Sequence, residues 1–412
     1  MFSYHGGSLY CESVSLADIA RCAGTPCYVY SAQSILDAFH AYDDGFGDVP
    51  HAVCYAVKAN ATLGVLSLLA RAGAWFDIVS GGELFRVLEA GGDASRVVFS
   101  GVGKTAEEVD FALDRGIHSF NCESEGELAL IDALAGERGL KAKFSLRLNP
   151  DVDASTHPYI ATGLSDHKFG FDLGEAAAVY ERSRLFKNLA AEGVSCHIGS
   201  QLLDTAPILE AVEKVLGLAV GLRSQGHGIR HVDLGGGLGV AYKAEDQAPE
   251  IRNFVSKLSN CVRGSGFAVM VEPGRSIVGP AGMLLTRVLN RKRTPKKEFV
   301  IVDAAMNDLI RPSLYQSHHD IIPVKQNGSG TLIADVVGPI CETGDFLARD
   351  RSMADVAPGE YLAVCTAGAY AFAQSSNYNS RPRAPEVLVE GDRWRVIRDR
   401  ETFQDLIRGE KV

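Results

Sequence analysis

The sequence has no surplus of base and no long run of either charge. Its 412 residues carry 41 Lys and Arg against 51 Asp and Glu, for a formal charge of −10. An acidic chain of this kind is a poor candidate for nucleic acid or for an anionic membrane surface. The one basic cluster, RKRTPKK at 291–297, reads as a solvated linker or hairpin tip. Cysteine is present but unpaired in pattern: the nine lie at 11, 22, 27, 54, 122, 196, 261, 341 and 365, with no C-x-x-C among them. An odd, scattered set indicates neither a disulfide framework nor a zinc site, and a reducing cytosol fits it. The opening MFSYHGGSLYCESV lacks a basic stretch followed by an apolar one, so no signal peptide is expected. Apolar runs such as VLGLAVGL at 215–222 are too short to span a bilayer. No phosphate loop of the form GxxxxGK[ST] occurs, the dinucleotide fingerprint is incomplete, and no internal repeat stands out.

What is there is a long chain, 46% hydrophobic, with enough apolar residues for two domains. From 51 to about 275 short β-branched or aromatic runs alternate with longer amphipathic segments. The short runs are 51–57, 75–80, 96–100, 118–122, 143–149, 194–198, 231–235 and 267–272. Helical periodicity fits 62–73, 82–92, 105–116, 124–138, 175–190, 207–224 and 248–263, and one more helix is expected at 31–42. TAEEVDFALDRG at 105–116 opens on Thr with an acidic first turn and closes on Gly. Eight strands alternating with helices match a (β/α)8 barrel, which typically takes about 250 residues, with an open doubly wound sheet as the competitor. After about 283 the segments LLTRVLN, EFVIVDA, TLIADVVG, EYLAVCTA, EVLVEG and RWRVIRD read as strands, and VEGDRW as a hairpin turn. The expected division is a barrel over 27–282 and a mostly antiparallel β domain over 1–26 and 283–412, to which the N-terminal residues add a strand.

Catalysis in such a barrel lies at the C-terminal strand ends. Those positions hold Lys58, Asp77 with Ser80, Ser100, Asn121 with Glu123, Arg147 with Asn149, His197 with Ser200, Gly235–Gly237, and Glu272 with Gly274 and Arg275. A lysine closing the run HAVCYAV has two readings: a solvated point charge on an apolar stem, or a desolvated amine that attacks a carbonyl. The run DLGGGLGV at 233–240 and the loop EPGRS at 272–276 suit an anion at the last two strands, where barrels commonly hold phosphate. A phosphate, an aldehyde within reach of Lys58 and a flat ring between them describe pyridoxal 5′-phosphate. Glu272 then faces the pyridine nitrogen and keeps it protonated. His197 stacks on the ring or is a hydrogen-bonded core histidine.

These segments, together with FDIVSGGEL (76–84), HIGSQ (197–201), EPGRSIVGPAG (272–282), CETGDFLARDR (341–351) and GAYAFAQSSNYNSRPR (368–383), resemble the fold-type III pyridoxal-phosphate-dependent decarboxylases. Within that group FVIVDAAMNDLIRPSLY at 299–315 is similar to the bacterial members that act on meso-2,6-diaminopimelate. The resemblance covers nearly the whole chain. It implies a cofactor-binding (β/α)8 barrel and a C-terminal β-barrel or sandwich domain that completes the active site. By matching motif, Lys58 carries the cofactor, Glu272 pairs with the ring nitrogen and His197 stacks. Ser200, Gly235, Gly236, Gly237, Gly274, Arg275 and Tyr370 lie around the phosphate. Asp77 and Glu83 of FDIVSGGEL, Arg147 and Pro273 complete the cofactor set. Cys341 is the proton donor, delivered from the partner subunit of a head-to-tail homodimer.

The far end of the substrate falls to Arg275, Arg311, Tyr315, Glu342 and Tyr370. Arginines suit a carboxylate and Glu342 an ammonium, so an amino-acid head fits better than the lone amine of ornithine. The implied reaction makes L-lysine and CO2 in the cytoplasm. The alternative is a related decarboxylase acting on carboxynorspermidine, ornithine, arginine or a siderophore intermediate. An alanine racemase of the same fold needs Arg where this chain has Glu272. A non-catalytic cofactor-binding protein should lack the β domain and the Cys341–Glu342 pair. A Schiff-base aldolase normally has its lysine late in the barrel. Tyr159, Ala161, Ala371 and Phe372 depart from the family's commonest pattern.

Overall fold

The computed structural model describes residues 1–152, 168–328 and 330–412, so Tyr159 and Ala161 lie outside the described residues. The chain forms two units. One comprises Ala38–Val240 and Gln247–Ser276; the other comprises Met1–Asp37, Ala241–Asp246 and Ile277–Val412.

The first unit is a closed barrel of parallel strands: His51–Ala56, Trp75–Ile78, Val97–Phe99, Ser119–Cys122, Ala142–Asn149, Leu189–Cys196, His231–Asp233 and Ala268–Val271. Neighbours in the barrel are neighbours in sequence, and Val271 beside Val53 closes the ring. Ala52, Cys54, Val98 and Met270 meet inside it, with Trp75 packed against them. Strands buried on both faces have no polar alternation, which is why these runs read as continuous apolar stretches. The helices between them start where local chemistry satisfies their first N–H groups. Thr105 and Glu108 form a reciprocal capping box on Ala106–Arg115, and Gly116 ends that helix in the left-handed region. Ser80 and Ser124 cap the helices Gly81–Glu89 and Glu125–Glu137 by accepting from Glu83 and Glu127 N–H.

Three expectations shift. The first strand stops at Ala56, and Lys58 sits in the single 3-10 turn Val57–Ala59 that follows. The sixth strand begins at Leu189 rather than 194, and the helix before it ends at Ser183 rather than 190. Leu189–Ala191 pair with Ala142–Phe144 across a register shift before Gly193. The partner strand therefore recruits residues with little strand propensity of their own. The third shift is the division of the chain. Cys27–Ser31 is antiparallel to Gly282–Arg293 and parallel to Glu386–Glu390, so it belongs to the second unit. The boundary expected at 27 falls after Asp37, and the one expected at 282 falls after Ser276.

The second unit is a mixed, mostly antiparallel sheet. Its main path runs Phe346–Ala354, Thr331–Val337, Glu298–Val302, Gly282–Arg293, Cys27–Ser31, Glu386–Glu390, Arg393–Arg398. The last two strands are the expected hairpin, with Gly391 at positive φ in the turn. The N-terminal residues form a three-stranded antiparallel sheet of their own, Phe2–His5, Ser8–Cys11 and Val14–Ser15, tied to the rest by a bridge from Ser8 to Lys325 and by Ser13 N–H donating to Gly391 O. Leu9, Leu16 and Ile19 from this segment pack on Val29, Leu285 and Val389.

Candidate active site

Lys58 is not a solvated point charge. Its Nζ lies 2.8 Å from Oδ2 of Asp77, whose side chain is fully buried. Glu272 is buried within reach of the same ammonium, and Asp233 is buried beside Glu272 and Asp77, so three carboxyl groups cluster around a single lysine. Burial, then the Asp233 and Asp77 carboxylates, push Glu272 well above the ordinary carboxylate range, while Lys58 pulls it back. Burial raises Asp233 as well. Glu272 Oε1 is held by Asn121 Nδ2 at 3.3 Å and by the Ser100 hydroxyl at 3.4 Å, and the same Asn121 nitrogen reaches Asp233 Oδ2 at 3.1 Å. Asp77 Oδ1 is buried with no hydrogen-bond partner among the described residues. This surplus of buried acid calls for a second cation. A protonated pyridine nitrogen is one, so the donor set fits pyridoxal phosphate.

A cavity of about 200 Å³ opens over these groups, lined by Lys58, Ser100, Asn121, Arg147, His197 and Glu272. Arg147 donates to Glu123 Oε1 at 2.9 Å and lies over the Phe169 ring at 4.6 Å. His197 Nδ1 accepts from Gly236 N–H at 3.1 Å, which leaves the ring proton on Nε2. Burial, with Arg147 and Lys58 nearby, drives its pKa well below the usual range. An uncharged imidazole lining the cavity is what a flat ring can stack upon. Glu83, pushed up to about 7 by burial, accepts from Val79 N–H at 2.8 Å.

The glycine run also has a packing role. The N–H groups of Gly235 and Gly236 already donate to Asp233 and His197. What demands glycine is close approach of backbone. A Cβ at Gly236 would lie 2.3 Å from Glu272 O, and one at Gly235, where φ is +65, would lie 2.4 Å from Cys196 O. Gly237, also at positive φ, would meet Gly199 O at 2.7 Å, and Gly274 would meet Ala59 and Ala56. Pro273 O accepts from Ala56 N–H, tying this loop to the end of the Lys58 strand. Ser200 Oγ accepts from Arg275 Nη2 at 3.0 Å. Hydroxyl and guanidinium side by side are donors of the kind that suit an anion.

The remaining residues belong to the second unit. Arg311 is buried, donating to His319 Nε2 at 3.4 Å and Ser317 Oγ at 3.2 Å, with the Tyr242 and Tyr315 rings within 6 Å. Tyr315 Oη accepts from Gln374 at 3.3 Å. Cys341 is exposed, with its N–H on Asn379 Oδ1. Glu342, also exposed, accepts from the Tyr378 hydroxyl at 2.8 Å. Tyr370 has φ +54. Ala371 is buried and the Phe372 ring meets Tyr28 edge-on, so these two departures from the family pattern pack the sheet.

Sequence reading placed Ser100 and Asn121 at strand ends but missed their grip on Glu272. It gave Asp233 no role, because the glycines of DLGGGLGV drew the reading and nothing local shows that the acid at its head meets Asn121.

Residues 32–279 match the family described as pyridoxal-dependent decarboxylase, pyridoxal binding domain. Over 411 residues the chain is 54% identical to the diaminopimelate decarboxylase of Pseudomonas aeruginosa, covering 100% of this chain and 99% of that one. Among solved structures it is similar to the diaminopimelate decarboxylase of M. jannaschii in co-complex with L-lysine, with a TM-score of 0.95 at 36% identity, covering 100% and 98% of the two chains. The Helicobacter pylori enzyme complexed with L-lysine gives a TM-score of 0.91 at 42% identity, covering 95% and 98%.

Proposed function

The chain belongs to the pyridoxal-dependent decarboxylases, and from that premise we propose that it converts meso-2,6-diaminopimelate to L-lysine and CO2 with pyridoxal 5′-phosphate as cofactor. The observation that carries the chemistry is Lys58, paired with buried Asp77, facing one cavity with Glu272, behind which Asp233 adds a third buried carboxyl. The substrate follows from full-length kinship with enzymes of that name.

When bound, the cofactor supplies an aldehyde for the substrate amine and a ring that accepts the electron pair left as CO2 departs. The protein's own groups hold and orient it. Lys58 Nζ would be the group that holds the aldehyde end of the cofactor, and its amine is the base nearest the reacting atoms. Asp77 keeps that nitrogen on station at 2.8 Å. Glu272, fixed by Ser100 and Asn121 and raised by burial, would share its proton with the ring nitrogen of a bound cofactor and so hold that nitrogen protonated. Neutral His197 presents a face, and Arg147 and Glu83 complete the walls. Ser200, Gly237, Gly274, Arg275 and Tyr370 receive the phosphate. Arg275, Arg311 and Tyr315 take the distal carboxylate and Glu342 the distal ammonium. Cys341 Sγ passes its proton to the substrate carbon that has lost CO2.

Ala38–Val240 and Gln247–Ser276 serve as the cofactor-binding domain and the other unit as the substrate-recognition domain. The protein acts in the cytoplasm as a two-fold homodimer in which each copy lends Cys341 and Glu342 to the other. Their exposure in a single chain supports that assignment. Among the described residues no helix is long and apolar enough to cross a membrane.

The test is CO2 release from purified protein loaded with cofactor and given meso-diaminopimelate, ornithine, arginine or carboxynorspermidine. Turnover of the first alone is expected. Turnover of another in its place would reject the substrate assignment.

A further inference from the structure

Behind the cavity lies a buried ion pair that the proposed chemistry does not use. The Lys104 and Glu127 side chains are 1% and 8% exposed. A lysine this deep must satisfy all three ammonium donors. Lys104 does so with Glu127 Oε1, Gly101 O at 2.8 Å and Asn121 O at 2.8 Å. The two carbonyls stand at the ends of adjacent barrel strands, Val97–Phe99 and Ser119–Cys122. One belongs to Asn121 itself and the other to the residue after Ser100. Those two side chains are the ones that hold Glu272 Oε1.

The acid end of the pair reaches the opposite wall. Glu127 Oε2 accepts from Glu123 N–H at 2.7 Å. The Glu123 carboxylate in turn takes Arg147 Nη1 at 2.9 Å and Gly170 N–H at 3.0 Å. Lys104 and Arg147 balance Glu127 and Glu123, so the group adds little net field and acts by geometry. A strut between a helix and a strand would need only one such contact. Here a single ammonium spans two strand ends whose side chains converge on one carboxylate oxygen.

We propose that Lys104 and Glu127 are positioning residues for the cofactor ring, setting Ser100 and Asn121 so that Glu272 meets the ring nitrogen squarely. The inference rests on the reading of Glu272 given above. Neither residue touches cofactor or substrate. Groups that orient a contacting side chain commonly matter by about tenfold or more.

The test follows loss of the visible cofactor band when holoenzyme is diluted into cofactor-free buffer with a scavenger, alongside kcat and KM. K104M alone leaves Glu127 unpaired in the interior and is prone to misfold, so K104M/E127Q carries the test, with E272Q as control. Cofactor loss about tenfold faster and a lower kcat, with KM within about twofold, are expected of the double variant. In an S100A/N121A background the same double substitution should add less than about twofold, because its route to Glu272 is already cut. An equal, additive effect in both backgrounds would mark the pair as a general strut and overturn the proposal. A normal K104M/E127Q beside an impaired E272Q would overturn the positioning role alone. A normal E272Q would overturn the Glu272 reading and this inference together.

Discussion

Replacing Glu83 by glutamine should make the cofactor-free barrel more stable in weak base while changing little in weak acid. The Glu83 carboxyl lies beside Asp77 under the helix it helps to cap, accepting from Val79 N–H. Burial and the Asp77 charge push its pKa from the ordinary 4.5 up to about 7, against the pull of Val79 N–H, Lys58 and Arg86. A folded-state value above the unfolded one means that the proton stabilises the fold. That contribution is complete below the unfolded pKa and is lost as pH rises through the folded one. For this shift the loss between about pH 5 and pH 8 is about 2.5 kcal/mol, at 1.36 kcal/mol per unit. E83Q keeps the amide oxygen for Val79 N–H and carries no proton to lose. The wild-type minus E83Q stability difference should therefore fall by about 2.5 kcal/mol over that range. Trp75 lies in the barrel and Trp394 in the other unit, so a W394F background lets urea unfolding be followed by Trp75 fluorescence alone. Parallel stability curves for the two proteins from pH 5 to pH 8 would refute the burial argument.

Three further outcomes are expected. Gly236→Ala should cost about 1–3 kcal/mol in barrel stability and loosen the cofactor, since its Cβ would press on Glu272 O at 2.3 Å; urea midpoints and the visible band report both. Thr105→Ala removes a reciprocal cap and should cost about 0.5–2 kcal/mol by thermal unfolding, with the cofactor band unchanged. Inactive K58A and C341A proteins, mixed and allowed to exchange, should recover about a quarter of wild-type activity if two-fold dimers share sites; continued inactivity would reject sharing.

Much of this was legible in the sequence where the signals are local. The helix Ala106–Arg115 announces both of its ends within twelve letters, and the eight apolar runs all became barrel strands. Lys58 was found for the same reason, as a charge closing an apolar run. Contacts between residues far apart in the chain were not legible. Asn121 meets Asp233 and Glu272 across 112 and 151 positions, and no local pattern encodes such a meeting. The strand Leu189–Cys196 was half missed because its first residues are strand only by virtue of Ala142–Phe144 beside them. Cys27–Ser31 read as the approach to the barrel because its partners lie more than 250 residues downstream. The glycine run was legible but its close packing was not: composition cannot tell a freed amide from a backbone that must pass close to another.

That last misplaced strand has a consequence for how the molecule is made. Cys27–Ser31, buried at every position, sits between Gly282–Arg293 and Glu386–Glu390. Its second neighbour leaves the ribosome some 355 residues after it, on the order of 20–70 s later at ordinary rates of synthesis. Until Gly282–Arg293 emerges this apolar pentapeptide has neither neighbour, and from then until Glu386–Glu390 follows one of its edges stays open, while the barrel strands between them are already made. The last strands to be translated therefore shut a clasp whose other half was laid down first, and a message truncated near its end would release a finished barrel trailing an open, aggregation-prone edge.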